Sequence, residues 1–227
     1  MCGRFTLTSD IDEIVELFDI GRNEFEGYQR RYNIAPTNIV PAVLTVDGER
    51  VLRGFKWGLV PFWSKDGKSS YSMINARAES ILKKPAFRNL IDRKRIVLPC
   101  SGYYEWRKEG SGKQPYLFQL NSEKTFGLAG LYDTWEGPDK NTVWSCTIIT
   151  TSPNELAEKV HDRMPVILNE NGIDLWLDTN NMDKDLLTSL LTSYPTEEMK
   201  LFPVSKAVNY VKNQGEDLIK EVVLNSK

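Results

Sequence analysis

The segment IVPAVLTVDGERVLRGFKWGLV constrains the fold most, because two β-rich runs meet at Asp47-Gly48, a dipeptide suited to positive φ at both turn positions. It predicts a tight hairpin. RIVLPCSGYYEWR, PYLFQL, TFGLAGLYDTW and VWSCTIITT continue as strands, with KEGSGKQ and EGPDKN as the turns between them. Helical spacing is confined to the flanks. SDIDEIVELFDI sets Ile11, Ile14, Val15 and Phe18 on one face behind Ser9 as N-cap. SPNELAEKV predicts a helix with Ser152 as N-cap, Pro153 at its first position and Glu155 completing a capping box, ending just before His161. MDKDLLTSLLTSY suggests a last helix, and FPVSKAVNYVKNQG closes the chain as strand and loop. Strands in runs, without regular β-α alternation, indicate an α+β fold with a largely antiparallel β core and peripheral helices, residues 1–227 forming a single domain.

Composition narrows the function. With 41% hydrophobic and 26% charged residues the chain is that of an ordinary folded domain. No run approaches the length of a membrane span and no basic-then-apolar leader opens the chain, so the expected location is cytoplasmic, with no membrane partner. Cysteines stand at positions 2, 100 and 146 and the only histidine is His161, which leaves no zinc cluster of ordinary spacing. Neither a cofactor nor a metal is expected. Residues 1–113 carry 19 Lys+Arg against 14 Asp+Glu, whereas the remainder carries 10 against 17, so a basic face would come mainly from the first half. Without coiled-coil heptads or repeats the expected state is a monomer.

The opening MCGRF raises a chemical question. Once Met1 is removed, Cys2 carries an α-amine with pKa of ~7.7 to 8.0 beside a thiol near ~8.5, giving a neutral amine and a thiolate fraction together at neutral pH. The pair traps aldehydes: the amine forms an imine and the thiol closes a five-membered thiazolidine. The amine acting as base for the thiol would instead give an N-terminal nucleophile hydrolase. The plain alternative is a small buried hydrophobe.

Other residues supply acids, bases and cations. SMINARAES puts Asn75, Arg77 and Glu79 at alternate positions, facing one side if extended. Glu105 lies between aromatics in a strand-like run, where desolvation would raise its pKa. His161 follows a helix C-terminus, whose dipole favours the imidazolium. RRYNIAPT and KWGLVPFWSKDGKSS interleave Arg30, Arg31, Lys56 and Lys65 with Tyr32, Trp57, Phe62 and Trp63, a mixture suited to single-stranded nucleic acid. Each also has an ordinary structural explanation, in ion pairs, polar networks or core packing.

Seven motifs in register, MCGRF, RYNIAPT, WGLVPFW, INARAES, GYYEWRKEG, HDRMPVIL and PVSKAVNYVKNQG, resemble the SOS response-associated peptidase family of abasic-site-processing proteins, across residues 2 to about 215. The resemblance implies a barrel-like β core and a suicide trap for abasic sites in single-stranded DNA. Single-strand/double-strand junctions are further candidate partners, as is nucleoid association when the protein is on DNA. In that reading Cys2 forms the crosslink, with self-reversal and autoproteolysis as associated activities. Asn75 positions the amine, Glu105 assists sugar ring opening and proton transfer, and His161 is the acid/base partner that promotes reversal. Arg77 and Arg163 contact phosphates, Pro36 and Trp63 stack on or wedge between bases, and Arg4 supports the backbone path on the DNA-binding side.

Two positions depart from the family pattern. LKKPAF stands where relatives have a helix arginine, so Lys83 or Lys84 takes that place, and Phe62-Trp63 stands where relatives can have two tryptophans. Two other function classes remain open on the residues: an N-terminal-cysteine hydrolase acting as a peptidase or amidohydrolase, and a non-covalent reader of modified or single-stranded DNA.

Overall fold

The computed structural model describes residues 2–67, 73–122 and 124–224. The elements run β1 (Phe5–Leu7), α1 (Ile11–Leu17), β2 (Arg22–Asn23), β3 (Arg31–Ile34), β4 (Ile39–Val46), β5 (Glu49–Trp57) and β6 (Asn75–Arg77). They continue as α2 (Leu90–Arg93), β7 (Arg95–Cys100), β8 (Gly102–Glu109), β9 (Gly112–Leu120), β10 (Phe126–Glu136) and β11 (Thr142–Thr151). The last part holds α3 (Glu155–Glu158), β12 (Met164–Pro165), β13 (Ile167–Leu168), α4 (Glu170–Leu177), α5 (Lys184–Ser189) and β14 (Met199–Pro203).

The Asp47-Gly48 hairpin forms as the sequence predicts, with φ of 52° and 82° at the two turn residues and Val46 paired with Glu49. Its strands belong to a closed barrel. β4 pairs with β7, β7 with β10 and β10 with β11, all antiparallel, and β5 returns to β11 in parallel through Lys56–Ser145 and Trp57–Cys146. Five strands therefore close on themselves, which removes two exposed sheet edges. Both faces of its strands are buried, with Phe55, Trp57, Leu98 and Ile148 on one and Val43, Val97 and Leu131 on the other. A second sheet runs in the order β14-β9-β8-β1-β3. The architecture is α+β, with a largely antiparallel, barrel-like core and short peripheral helices.

RIVLPCSGYYEWR is not one strand. It changes sheets at Ser101, β7 staying in the barrel and β8 pairing with β1 and β9. The Ser101 N–H donates to the Thr6 carbonyl at 2.8 Å, and a Cβ at Gly102 would lie 2.9 Å from the Phe118 carbonyl oxygen. The corner thus brings β1, and with it the chain start, against β8.

Two helix starts differ from expectation. Ser9 is engaged with Thr125 Oγ1 at 2.7 Å and its carbonyl accepts from Tyr28, so Asp10 is the N-cap of α1, its N–H donating to Glu13 at 3.1 Å. Asn154, not Ser152, caps α3, its side-chain oxygen accepting from the Ala157 N–H at 2.8 Å, which leaves Pro153 outside the helix. α4, capped by Asn169 and burying Trp176, has no clear signature in the sequence because Gly172 interrupts its helical pattern.

Candidate functional site

Strand alternation sorts the GYYEW residues. Tyr103 and Glu105 face the barrel side, while Tyr104 packs in a separate cluster with Val208 and Leu218. Phe5 of β1 pairs with Tyr103, and three residues earlier in the chain Cys2 is wholly buried, close enough to Glu105 for the two charges to interact. Glu105 is only 4% exposed, and burial pushes its carboxyl pKa up to about 7. Near neutral pH this group is divided between acid and base.

The Cys2 thiol behaves differently from the exposed one assumed on sequence. Burial, and secondarily the Glu105 charge, hold its pKa far above the ordinary thiol range, so thiol and not thiolate is the resting form. Cys100 and Cys146 are buried and reduced as well.

His161 approaches from the β11–β12 corner, with Nε2 3.9 Å from Glu105 Oε2. The helix before it spans only four residues and supplies little dipole; desolvation lowers the imidazole pKa, opposite to the direction expected from the helix end. Nδ1 has two neighbours, the Arg163 N–H at 3.1 Å and Asp162 Oδ1 at 2.8 Å, and neutral imidazole cannot accept from one while donating to the other. The Asp162 carboxylate is solvent-exposed and its pull is screened, so Nδ1 of the neutral ring accepts from the backbone N–H, which leaves the proton on Nε2, on the Glu105 side.

A cleft of about 780 Å³ is lined by Trp63, Asn75, Arg77, Glu79, Lys84, Pro85 and Arg163 among others. Asn75 sits on β6 opposite Ile148 of β11, and although it is buried, neither its amide oxygen nor its amide nitrogen has a partner among the described residues. Such a group is poised for a ligand or for water. Arg77, two residues along the same strand, is exposed. The expected three-residue row stops there, because the chain turns into a 3-10 helix at Ala78–Ser80. Glu79 instead receives both terminal nitrogens of Arg163, at 2.7 and 3.0 Å, and Arg163 also donates to the Thr150 carbonyl at 2.6 Å. Arg163 holds the Glu79 carboxyl below its ordinary pKa. Of the two lysines left open, Lys84 lines the cleft with Pro85.

The aromatic-basic stretches divide. Trp57 is core, and its indole N–H donates to the Ile74 carbonyl at 3.0 Å beneath the cleft. Phe62 and Trp63 are 65% and 55% exposed. Pro36 is half-buried on the β3–β4 turn, which is tied to Trp57 by the Thr37 N–H at 2.8 Å and the Asn38 carbonyl at 2.9 Å. Arg30 pairs with Asp10, and Tyr32 is engaged with Glu216 and Gln214. Arg4 points its charge inward, donating to Asn33 Oδ1 and the Val208 carbonyl, each at 2.7 Å, with its guanidinium 5.6 Å from the Trp106 ring centre.

Sequence reasoning passes over Tyr103, whose buried hydroxyl lacks a partner among the described residues, and Asp133, a buried carboxylate behind Phe62. Asp133 does leave a signal: an acidic residue inside the strand run TFGLAGLYDTW is out of place unless it has buried donors to satisfy.

The family model for SOS response associated peptidase (SRAP) matches residues 1–211. The abasic site processing protein YoqW of Bacillus subtilis is 44% identical over 221 residues, spanning 96% of this chain and 99% of its own. The abasic site processing protein HMCES of Xenopus tropicalis is 30% identical, covering 100% of this chain and 80% of its own. Among solved structures, a protein from Bacteroides thetaiotaomicron superposes with a TM-score of 0.87 at 26% identity, over 98% of this chain and 100% of that one.

Proposed function

Because this chain belongs to the SOS response associated peptidase family, we propose that it processes abasic sites in single-stranded DNA by a covalent crosslink through Cys2, formed after Met1 is removed. Cys2 and Glu105 carry this reading: a buried thiol lies beside a carboxyl whose pKa is about 7, with His161 3.9 Å from that carboxyl.

The aldehyde is C1′ of the ring-opened deoxyribose. The Cys2 amine, neutral in part near pH 7 to 8, adds to C1′ and gives a carbinolamine. Glu105, protonated in part at neutral pH, gives its proton to the carbinolamine hydroxyl, water leaves, and an iminium remains over a carboxylate. That carboxylate then accepts the thiol proton, sulfur adds to the iminium carbon, and the thiazolidine ring closes. The sum is loss of one water, with Glu105 returned to its acid form. A thiol kept protonated by burial suits this order, in which nitrogen attacks first and sulfur closes last. It speaks against hydrolysis led by a resting thiolate.

The half-buried His161 serves as the second proton carrier, needed when the ring reopens and the protein releases itself. Asn75 offers its unpartnered amide to the amine or the sugar hydroxyls. Arg77 and Lys84 neutralise phosphates without reading sequence, Arg163 does so only by exchanging Glu79 for the phosphate, and Trp63 and Pro36 hold the bases flanking the lesion. The binding is lesion-specific, sequence-tolerant and salt-dependent. The protein works as a monomer.

The test mixes protein beginning at Cys2 with a single-stranded oligonucleotide carrying one abasic site, followed by a denaturing gel. A heat-stable adduct, absent with Cys2→Ala, is the expected result. No adduct from protein verified to start at Cys2 would refute the covalent reading, and lesion-specific binding by that same protein without any adduct would favour a non-covalent reader.

A further inference from the structure

Phe62 and Trp63 are two large adjacent rings left exposed, yet the backbone beneath them is held from several directions. The Val60 N–H donates to Ser145 Oγ of β11 at 2.8 Å, and the Phe62 N–H donates to Asp133 Oδ2 of β10 at 2.8 Å. The Ser64 N–H closes the turn onto the Pro61 carbonyl at 2.9 Å, and the Ser64 carbonyl accepts from Trp135 Nε1 at 2.7 Å. Asp133 has 2% of its side chain exposed, and its other oxygen accepts from Lys94 Nζ at 2.6 Å and from the Thr134 N–H at 2.9 Å. Beyond the turn, Gly67 lies over the Trp135 indole, where a Cβ would come within 2.6 Å of the ring.

A buried carboxylate is retained only if donors satisfy its oxygens, and here one of those donors is the peptide N–H of an exposed aromatic residue. The hydrogen bonds from β10 and β11 grip the main chain and leave both side chains outside. A fixed backbone spares exposed rings the ordering that stacking on a flexible single strand would otherwise demand.

Resting on the proposed DNA reading, we infer that Asp133 and Trp135 are positioning residues that preform the Phe62-Trp63 turn as a stacking platform for bases beside the lesion. Neither residue touches DNA. They act only through the two rings. Asp133→Asn replaces one acceptor oxygen with an amide nitrogen, so either Phe62 or the Lys94 and Thr134 donors face a donor. Trp135→Phe keeps an aromatic ring but loses the bond to Ser64.

The experiment is a double-mutant cycle on the crosslinking reaction, reading the half-saturating concentration of an abasic oligonucleotide separately from the maximal rate. Asp133→Asn and Trp135→Phe should each raise the half-saturating concentration roughly 3- to 10-fold and leave the maximal rate unchanged. In a Phe62→Ala/Trp63→Ala background neither should add a further effect, an outcome that general destabilisation would not produce. No change in the original background from both variants, or full additivity with the ring deletions, overturns the inference while leaving the stacking reading intact. If the ring deletions alone do not weaken binding, the stacking reading fails and the platform falls with it.

Discussion

The two halves of the site solve opposite problems. Around Cys2 and Glu105 almost everything is buried, and burial is the largest influence on the protonation state of each group. Around Trp63, Arg77 and Lys84 the groups are exposed, so geometry and the number of cations matter instead. Proton transfer to and from an imine benefits from a carboxyl near pH 7, which only desolvation gives it. Capturing a polyanion benefits from cations that remain charged and can release the counterions of the strand. Substitutions in the first region should therefore alter the chemical rate and its pH dependence, and those in the second should alter affinity and its salt dependence.

Cys2→Ala should break the buried half completely. The new terminal amine can still form an imine, but without sulfur no heat-stable adduct should survive a denaturing gel. Glu105→Gln comes next, with crosslinking slowed by roughly 10² or more at pH 7 and the inflection due to the carboxyl near pH 7 lost, which leaves only the rise that follows deprotonation of the Cys2 amine. A time course across pH 6 to 8 checks both points.

The same substitution sharpens the comparison through stability. Glu105 has its folded pKa raised from 4.5 to about 7, so the native state binds more protons than the unfolded chain between those values. Its contribution is fully present below 4.5 and is lost as pH rises toward 7. Glu105→Gln should thus gain stability relative to the parent on going from pH 5 to pH 8, by up to about 3 kcal/mol, seen as a widening difference in urea midpoint. No exposed residue of the cleft should show such a trend.

On the recognition side, Trp63→Ala should weaken binding by about 1–3 kcal/mol in a direct titration with single-stranded DNA, without changing the rate at saturation. Arg77→Ala should have the smallest effect at physiological salt. Its signature is the slope of log affinity against log salt, which should become shallower by about 0.7 when one phosphate of a single strand is no longer neutralised.

Local signals carry much of this in the sequence, and long-range ones do not. The Asp47-Gly48 turn and the strand run around Glu105 can be read from adjacent residues, and so can the direction of the Glu105 shift, since an acidic residue within an apolar strand run is set for burial. Closure of the barrel by the parallel β5–β11 pairing leaves no local mark, since parallel partners distant in sequence need no turn. The pKa of His161 moves against the sequence expectation because burial outweighs the end of a helix only four residues long. Glu79 leaves the expected row at the 3-10 turn, and Arg163, 84 positions away, is what gives that turn its purpose. Asp133 is visible in the sequence only as an anomaly, because its meaning depends on the Phe62 peptide reaching β10.

The most direct test is peptide mapping of the crosslinked protein. Trypsin cleavage after Arg4 releases Cys2-Gly3-Arg4, and the adduct is treated with iodoacetamide before the DNA is digested down to the sugar fragment. A thiazolidine predicts that this peptide carries the fragment at the summed mass minus one water, with its sulfur refractory to alkylation. A fragment found on a lysine peptide, or a modified Cys2 peptide whose thiol is still alkylated, would contradict ring closure at Cys2.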